Sequence, residues 1–242
     1  MGGSGDRVTK LKLVGYETTP HRTIQGEGFY VGTPSTFLRL WGCSYSCSWC
    51  DSKKSWQEGS EWREEDVATT AAKILAFNTR HVVITGGDPL EQADGVLELV
   101  EVLQSWNRFV TVETQASIFD VRIAQKVNFL SISPKLHDWR EAVVENYYLA
   151  RQRGVRDTAD LTLQSQIKVV VSTKMEAICA IERMHAADWE FDTMYLQPEF
   201  SRGKAVVHEA AEALYEYREA YGDRALDIRV LGQVHKNSLF VR

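Results

Sequence analysis

Three of the four cysteines lie within one short segment, Trp41-Gly42-Cys43-Ser44-Tyr45-Ser46-Cys47-Ser48-Trp49-Cys50-Asp51-Ser52, with the spacing C-x3-C-x2-C. Disulfide pairing would leave one of the three unpaired, and a chain of 242 residues can hold a core without such bonds. A structural zinc site takes four ligands, usually as two pairs, and the sequence has no second C-x2-C or H-x3-H pair. Three thiolates without a fourth suit an iron–sulfur cluster with one iron free to bind a small molecule.

The fourth cysteine, Cys179, lies in the apolar helical pattern Met175-Glu176-Ala177-Ile178-Cys179-Ala180-Ile181. A free cysteine in such a pattern behaves as a small hydrophobic residue. We therefore predict that Cys179 is buried and takes no part in the chemistry.

The elements that must position these residues alternate between short β-branched runs and longer amphipathic stretches. This alternation predicts an α/β fold with a parallel sheet of βα units, in which about six strands form a partial barrel. We expect a flexible N-terminus over residues 1–7 and a single domain over 8–242. The predicted strands are Thr36–Trp41, His81–Thr85, Phe109–Glu113, Phe129–Ser133, Ile167–Ser172 and Met194–Gln197, and the predicted helices are Glu64–Phe77, Gly95–Trp106, Lys174–Ala187 and Val206–Tyr221.

Polar and glycine-rich segments follow five of the predicted strands, at the carboxyl ends where parallel βα folds bind ligands. These segments are Cys43 onward, Thr85-Gly86-Gly87-Asp88-Pro89, Glu113-Thr114-Gln115, Ser133-Pro134-Lys135 and Gln197-Pro198-Glu199. Their convergence predicts one functional site.

Composition limits the possible partners. Hydrophobic residues make up 44% and charged residues 25% of the chain, and the formal net charge is -5. These values are ordinary for a globular protein and give no reason to expect nucleic-acid binding. No stretch of about 18 apolar residues is present, so we expect no membrane span and a cytoplasmic protein.

The cysteine spacing resembles that of radical S-adenosylmethionine (SAM) enzymes, and the remaining motifs resemble the 7-carboxy-7-deazaguanine synthase family within them. The motifs that carry the resemblance run in the family's order: Ile24-Gln25-Gly26-Glu27-Gly28, Phe37-Leu38-Arg39, the cysteine segment, Thr85-Gly86-Gly87-Asp88-Pro89, Glu113-Thr114-Gln115, Ile132-Ser133-Pro134-Lys135, Leu196-Gln197-Pro198 and Gln233-Val234-His235-Lys236. Asp88 stands where the family has a glutamate, and Ala116 stands where it often has a glycine.

The resemblance implies a lyase that converts 6-carboxy-5,6,7,8-tetrahydropterin to 7-carboxy-7-deazaguanine with loss of ammonia, for queuosine and related 7-deazapurines. It implies a 4Fe-4S cluster, SAM as the source of a 5'-deoxyadenosyl radical, and Mg2+. It also implies a homodimer and an electron donor such as flavodoxin or ferredoxin.

The resemblance also implies roles for single residues. The cluster ligands are Cys43, Cys47 and Cys50, and Ser52 ligates Mg2+. The substrate residues are Ile24, Gln25, Gly26, Arg39, Thr85 and, by position at the C-terminus, Arg242. The SAM residues are Trp49, Cys50, Asp51, Gly87, Ser133, Pro134, Lys135, Gln197, Pro198, Glu199 and Phe200.

Physical arguments support some of these roles and leave others open. Arg39 lies near the end of a central strand, where its guanidinium needs a partner and can hold a carboxylate by two hydrogen bonds. Ser52 could instead cap a turn, and Glu113 could either contact SAM or anchor its loop. His235 could titrate or only pack.

Two other functions compete with this assignment. One is a radical SAM enzyme that acts on another substrate, such as a glycyl-radical activase, and the Gln25, Arg39 and His235 motifs disfavour it. The other is a cluster-binding regulatory protein without turnover, which is expected to lack an intact substrate site.

Overall fold

The computed structural model describes residues 8–15, 19–154, 164–187, 189, 191 and 193–236. Residues 1–7, predicted to be flexible, and Arg242, predicted to bind substrate, lie outside this range. The described residues form ten strands and six α-helices. In chain order these are β1 (Lys10–Val14), β2 (His21–Ile24), β3 (Pro34–Leu40), β4 (Trp62–Asp66), α1 (Val67–Ala76), β5 (His81–Gly86), α2 (Ala93–Ser105), β6 (Phe109–Thr114), α3 (Val121–Lys126), β7 (Phe129–Ile132), α4 (Glu141–Gly154), β8 (Gln164–Val171), α5 (Lys174–Ala186), β9 (Thr193–Pro198), α6 (Lys204–Tyr221) and β10 (Ile228–Val230).

The chain divides into two compact units. The first unit comprises Met1–Thr23 and Pro34–Glu113, and the second comprises Ile24–Thr33 and Thr114–Arg242. The single domain expected over 8–242 stays a prediction.

The first unit is built on three parallel strands, β3, β5 and β6, with β5 in the middle. Val83 of β5 pairs with Phe37 on one side and with Thr111 on the other. Strand β5 is buried from His81 to Thr85, as expected of a parallel strand that is covered on both faces. Strand β1 extends the sheet antiparallel to β3 and pairs with β4 on its other side.

The second unit contains four parallel strands in the order β7, β8, β9 and β10. Ile167 in the middle of β8 pairs with Ile132 of β7 and with Met194 of β9. The three side chains are buried, and helices α5 and α6 pack against each other. Both units therefore show the predicted α/β architecture, and most of the strand pairings named here are parallel.

All six predicted strands are present, but the helix predicted over Glu64–Phe77 is wrong at its start. Residues up to Asp66 belong to β4, because Glu64 and Asp66 pair in register with Lys12 and Lys10 of β1. Helix α1 begins only at Val67. Cys179 lies on α5 as predicted, but it is half-buried rather than buried. No helix among the described residues has the length and apolarity needed to cross a membrane.

A buried histidine joins the three parallel strands of the first unit. The Nδ1 atom of His81 lies 2.8 Å from Ser35 Oγ, and its Nε2 atom lies 2.8 Å from Thr111 Oγ1. A neutral imidazole needs one donor and one acceptor, and each hydroxyl can serve as either. Burial lowers the pKa of His81 from its ordinary 6.5 to about 4.

This pKa predicts an acid-sensitive component of stability. The unfolded chain binds a proton near pH 6.5 and the folded chain only near pH 4, so the contribution of His81 is complete above pH 6.5 and is lost as the pH falls towards 4. We expect the free energy of unfolding, measured by urea titration, to fall by about 2 kcal/mol between pH 7 and pH 5 through this group. His81→Gln should remove that difference, whereas His208→Gln, at an exposed histidine of α6, should leave it unchanged. Equal pH dependence in wild type and His81→Gln would contradict the assignment.

Candidate functional site

In the first unit the three clustered cysteines follow strand β3 on a single loop. Cys43 comes three residues after the end of β3, and the backbone N–H of Cys50 donates to the carbonyl of Cys47 at 3.0 Å. All four cysteines of the chain lie among the described residues, and each carries a thiol rather than a disulfide. The clustered three are half-buried.

Two donors point at the sulfur of the third cysteine. The indole Nε1 of Trp56 donates to Cys50 Sγ at 3.2 Å, and the backbone N–H of Ser52 does so at 3.4 Å. Hydrogen bonds of this kind stabilise negative charge on sulfur.

The loop after β5 approaches the start of the cysteine loop at backbone distance. The N–H of Gly87 donates to the carbonyl of Leu40 at 3.0 Å, and the N–H of Asp88 donates to the carbonyl of Gly42 at 2.7 Å. A Cβ at position 87 would lie 1.7 Å from the Gly42 oxygen and 3.1 Å from Cys43 Cβ. Only glycine fits there.

Asp88, which replaces the family's glutamate, is fully buried. Its carboxylate accepts from the N–H of Leu90 at 3.0 Å and caps the short 3-10 helix Pro89–Gln92. The shorter side chain is therefore engaged with its own loop.

Two predicted ligand-binding residues of the first unit contact each other. Arg39 Nη1 donates to Ser52 Oγ at 2.6 Å, and the same hydroxyl donates to Asp51 Oδ1 at 3.0 Å. The guanidinium of Arg39 thus finds its partner at the end of the cysteine loop. The contact brings a predicted carboxylate-binding residue next to the predicted Mg2+ ligand.

Thr85 is buried at the end of β5, and its hydroxyl donates to Glu113 Oε2 at 2.8 Å. The contact joins the end of β5 to the end of β6.

In the second unit, the segment Ser133–Lys135 after β7 forms a turn in which the lysine side chain contacts the serine. Lys135 Nζ donates to the carbonyl of Ser133 at 2.7 Å and lies 3.0 Å from Ser133 Oγ. Pro134 between them is buried. The ammonium group is thus held over the turn.

The segment after β9 combines a buried amide with a fixed carboxylate. Gln197 is 5% exposed and Pro198 is buried, whereas Phe200 is exposed. Glu199 accepts from Ser172 Oγ at 2.6 Å and from Ser201. Burial raises the pKa of the Glu199 carboxyl, but these hydrogen bonds and the charge of Arg202 outweigh it, so the pKa lies below its ordinary value.

The Ile24–Gly28 segment is held by the residues near the C-terminus. The N–H of Val234 donates to the carbonyl of Gly26 at 2.9 Å, and a Cβ at position 26 would lie 1.9 Å from His235 Nδ1. His235 therefore packs against Gly26, in agreement with the packing role considered for it. The buried Gln25 accepts from the N–H of Glu27 at 3.2 Å.

Comparison with known proteins agrees with this arrangement. The radical SAM superfamily profile matches residues 41–204. A 7-carboxy-7-deazaguanine synthase from Rhodopirellula baltica is 32% identical over 203 residues, which cover 80% of this chain and 76% of the relative. The chain belongs to the 7-carboxy-7-deazaguanine synthase family of the radical SAM superfamily.

Two further comparisons extend this result over more of the chain. The 7-carboxy-7-deazaguanine synthase from Aquifex aeolicus is 28% identical over 219 residues, covering 89% of this chain and 90% of the relative. The crystal structure of QueE from Escherichia coli matches with a TM-score of 0.67 and 22% identity, covering 91% of this chain and 93% of that chain. The structural likeness confirms the predicted radical SAM fold.

Membership of the 7-carboxy-7-deazaguanine synthase family implies a 4Fe-4S cluster and SAM, and the residues present fit both. Three thiols on one loop leave one iron of a cluster without a protein ligand. Gly87, which has no side chain, lets the backbone of the loop after β5 approach Gly42 and Cys43 closely.

Sequence reasoning missed several residues that hold the family motifs in place. In the second unit, Gln166 accepts from the N–H of Phe29 at 2.8 Å, and Lys168 pairs with Glu27, which also accepts from Gln233. The signal was available, because Gln164, Gln166 and Lys168 are polar residues at alternate positions of β8. In the first unit the missed residue is Trp56, which nothing in the spacing distinguishes from the other tryptophans.

Ala116, where the family often has glycine, carries backbone strain. It is 2% exposed and has a φ of 60°, in the left-handed region that disfavours a Cβ by roughly 1–2 kcal/mol. We expect Ala116→Gly to raise the free energy of unfolding by about 1 kcal/mol in urea titrations. Ala72→Gly on the exposed face of α1 should lower it by about 1 kcal/mol. A loss of stability at both positions would show that Ala116 is not strained.

Proposed function

We propose that the chain catalyses the conversion of 6-carboxy-5,6,7,8-tetrahydropterin to 7-carboxy-7-deazaguanine with loss of ammonia, in the route to queuosine and related 7-deazapurines. Family membership supports the reaction. The observation that carries the substrate assignment is the contact between Arg39 and Ser52 directly after the cysteine loop.

Arg39 is the proposed binding residue for the substrate carboxylate. A guanidinium presents several N–H donors, and only Nη1 contacts Ser52 Oγ. The remaining donors suit the two oxygens of a carboxylate. Thr85, held by Glu113, is proposed to offer its hydroxyl oxygen to the pterin.

Ser52 fits the proposed Mg2+ ligand. Its hydroxyl gives its proton to Asp51 and accepts one hydrogen bond from Arg39, which leaves one lone pair. A hydroxyl and a neighbouring carboxylate are the hard oxygen donors that Mg2+ prefers, together with water and substrate oxygens. A substrate carboxylate could place one oxygen on the ion and the other on Arg39.

We propose that Cys43, Cys47 and Cys50 ligate the 4Fe-4S cluster. In the first unit, SAM itself is proposed to contact Trp49–Asp51 and Gly87. The N–H of Gly87 is bonded to Leu40, so its carbonyl is the backbone group left to accept from the amino group of SAM. When bound, the cluster and SAM supply the one-electron chemistry that begins the reaction.

The second unit is proposed to contribute further contacts. Ile24, Gln25 and Gly26 would bind the pterin edge, because an amide both donates and accepts. SAM would be bound by residues that follow β7 and β9, namely Ser133, Pro134, Lys135, Gln197, Pro198, Glu199 and Phe200. Arg242 would reach the substrate.

We further propose one radical SAM domain over 8–242, a homodimer, a cytoplasmic location, and flavodoxin or ferredoxin as the electron donor.

A radical SAM activase of a glycyl-radical enzyme is the alternative. Such an enzyme acts on a polypeptide. It does not need an arginine placed beside a hydroxyl that can ligate Mg2+, as Arg39 is placed beside Ser52. The Arg39–Ser52 contact therefore favours a small carboxylated substrate.

Turnover tests the proposal directly. Anaerobically reconstituted protein with reductant, SAM and Mg2+ should convert 6-carboxy-5,6,7,8-tetrahydropterin to 7-carboxy-7-deazaguanine, detected by mass spectrometry. Cys47→Ala should lose both the cluster and the product, because only two ligands of the loop remain. Absence of product with an intact cluster would contradict the substrate and leave the family membership standing. Wild-type iron content in Cys47→Ala would contradict the ligand assignment.

Arg39→Lys tests the carboxylate site separately. Lysine keeps the charge but loses the planar set of donors, so we expect KM for the carboxylated pterin to rise about tenfold or more. Arg80→Lys, at an exposed arginine of the same unit, is the matched control and should leave KM unchanged. Calorimetric binding of a pterin without the carboxylate should be equal in wild type and Arg39→Lys. An unchanged KM in Arg39→Lys would show that the carboxylate binds elsewhere.

A further inference from the structure

The indole of Trp56 contacts the cysteine loop through its single polar atom. Its Nε1 donates to Cys50 Sγ at 3.2 Å. An indole has one N–H donor and no acceptor, so this contact uses the whole hydrogen-bonding capacity of the side chain. Trp56 is not one of the residues that the family motifs assign to the cluster, SAM or the substrate.

The backbone around Trp56 fixes the position of the indole. The N–H of Ser55 donates to the carbonyl of Ser52 at 2.8 Å, and the N–H of Trp56 donates to the carbonyl of Lys53 at 3.1 Å. The Ser55 hydroxyl, on a residue 1% exposed, also donates to the Ser52 carbonyl at 2.6 Å. Ser55 in turn accepts from the N–H of Gly42 at 2.7 Å. A single short turn thus ties Trp56 to both ends of the cysteine loop.

Trp56 also borders an open groove. Trp41, Trp56 and Trp62 line it together with the segment from Glu58 to Glu61. Trp41 and Trp62 stack with their ring centroids 5.4 Å apart. Trp56 is half-buried and lines this groove while its Nε1 contacts Cys50.

We propose that the Trp56 indole N–H donates a hydrogen bond to the cluster-ligating sulfur of Cys50 and thereby raises the reduction potential of the cluster. Reduction adds one negative charge to the cluster and its ligands. The positive end of an N–H dipole stabilises that more negative state, and hydrogen bonds to sulfur are among the factors that set cluster potentials. The inference rests on the assignment of Cys50 as a cluster ligand.

The consequence is a cluster that weaker reductants can reduce. Without the hydrogen bond we expect the ratio of reduced to oxidised cluster at a fixed potential to fall about tenfold. For a one-electron couple a tenfold change in that ratio corresponds to a shift of about 59 mV towards more negative potential.

The test is a redox titration of the reconstituted, full-length protein without SAM, followed by EPR of the reduced cluster. Trp56→Phe removes the donor and keeps an aromatic ring, and we expect its potential to lie about 59 mV below that of wild type. Trp56→His keeps an N–H donor and should lie between the two. Trp62→Phe changes a tryptophan of the same groove that has no contact with the sulfur in the described structure, and its potential should equal that of wild type.

An unchanged potential in a cluster-loaded Trp56→Phe would overturn the proposal, as would an equal shift in Trp62→Phe. If Trp56→Phe does not hold iron, wild-type protein labelled with 15N at the indole nitrogen decides the matter. Pulsed EPR of its reduced cluster should show an indole 15N coupling, and the absence of that coupling would overturn the proposal.

These outcomes separate the inference from the proposed function. A wild-type chain that binds no cluster would overturn both. A shifted potential without conversion of the pterin would contradict only the substrate, whereas pterin conversion with an unshifted potential would contradict only the role of Trp56.

Discussion

The close approach of two backbone segments in the first unit is the constraint on which the cysteine loop depends. Gly87, after β5, lies so near the carbonyl of Gly42, after β3, that no Cβ can be accommodated between them. Two backbone hydrogen bonds, from Gly87 to Leu40 and from Asp88 to Gly42, hold the approach. Because Cys43 follows Gly42 directly, the first sulfur is placed relative to the rigid central strands and not by a flexible loop.

The far end of the loop is fixed by the same residue. Gly42 also donates its N–H to the carbonyl of Ser55, which closes the segment from 42 to 55 by a backbone contact. Within this closed segment lie the Cys50 sulfur and the Ser52 hydroxyl, which accept hydrogen bonds from Trp56 and Arg39 just outside it. Cofactor ligation and carboxylate binding therefore share one scaffold, and a displacement at Gly42 would reach both.

Much of this could be read from the sequence, for physical reasons that also set its limits. The six predicted strands are found because parallel strands covered on both faces contain runs of buried β-branched residues, as Val82–Ile84 of β5 do. Helix α4 was missed because one of its buried positions is Arg151, whose guanidinium donates to the carbonyls of Ala124, Val127 and Asn128. A charged residue at a buried position interrupts the three- and four-residue spacing of apolar residues by which a helix is predicted. Trp56 was missed because its role is a single contact across six residues of irregular chain, which leaves no periodic signal.

The two departures from the family pattern have opposite physical characters. Aspartate at 88 is the better helix cap of the two acidic residues, since its shorter side chain reaches a backbone N–H two residues on. The exchange gives up reach towards a ligand and strengthens the loop that presents Gly87. Alanine at 116 instead adds strain to its loop, because its φ of 60° is one that glycine adopts without cost. Because Asp88 is engaged with its own loop, ligand recognition by the loop after β5 must rest on the backbone of that loop. This backbone is the part that the Asp88 cap stabilises.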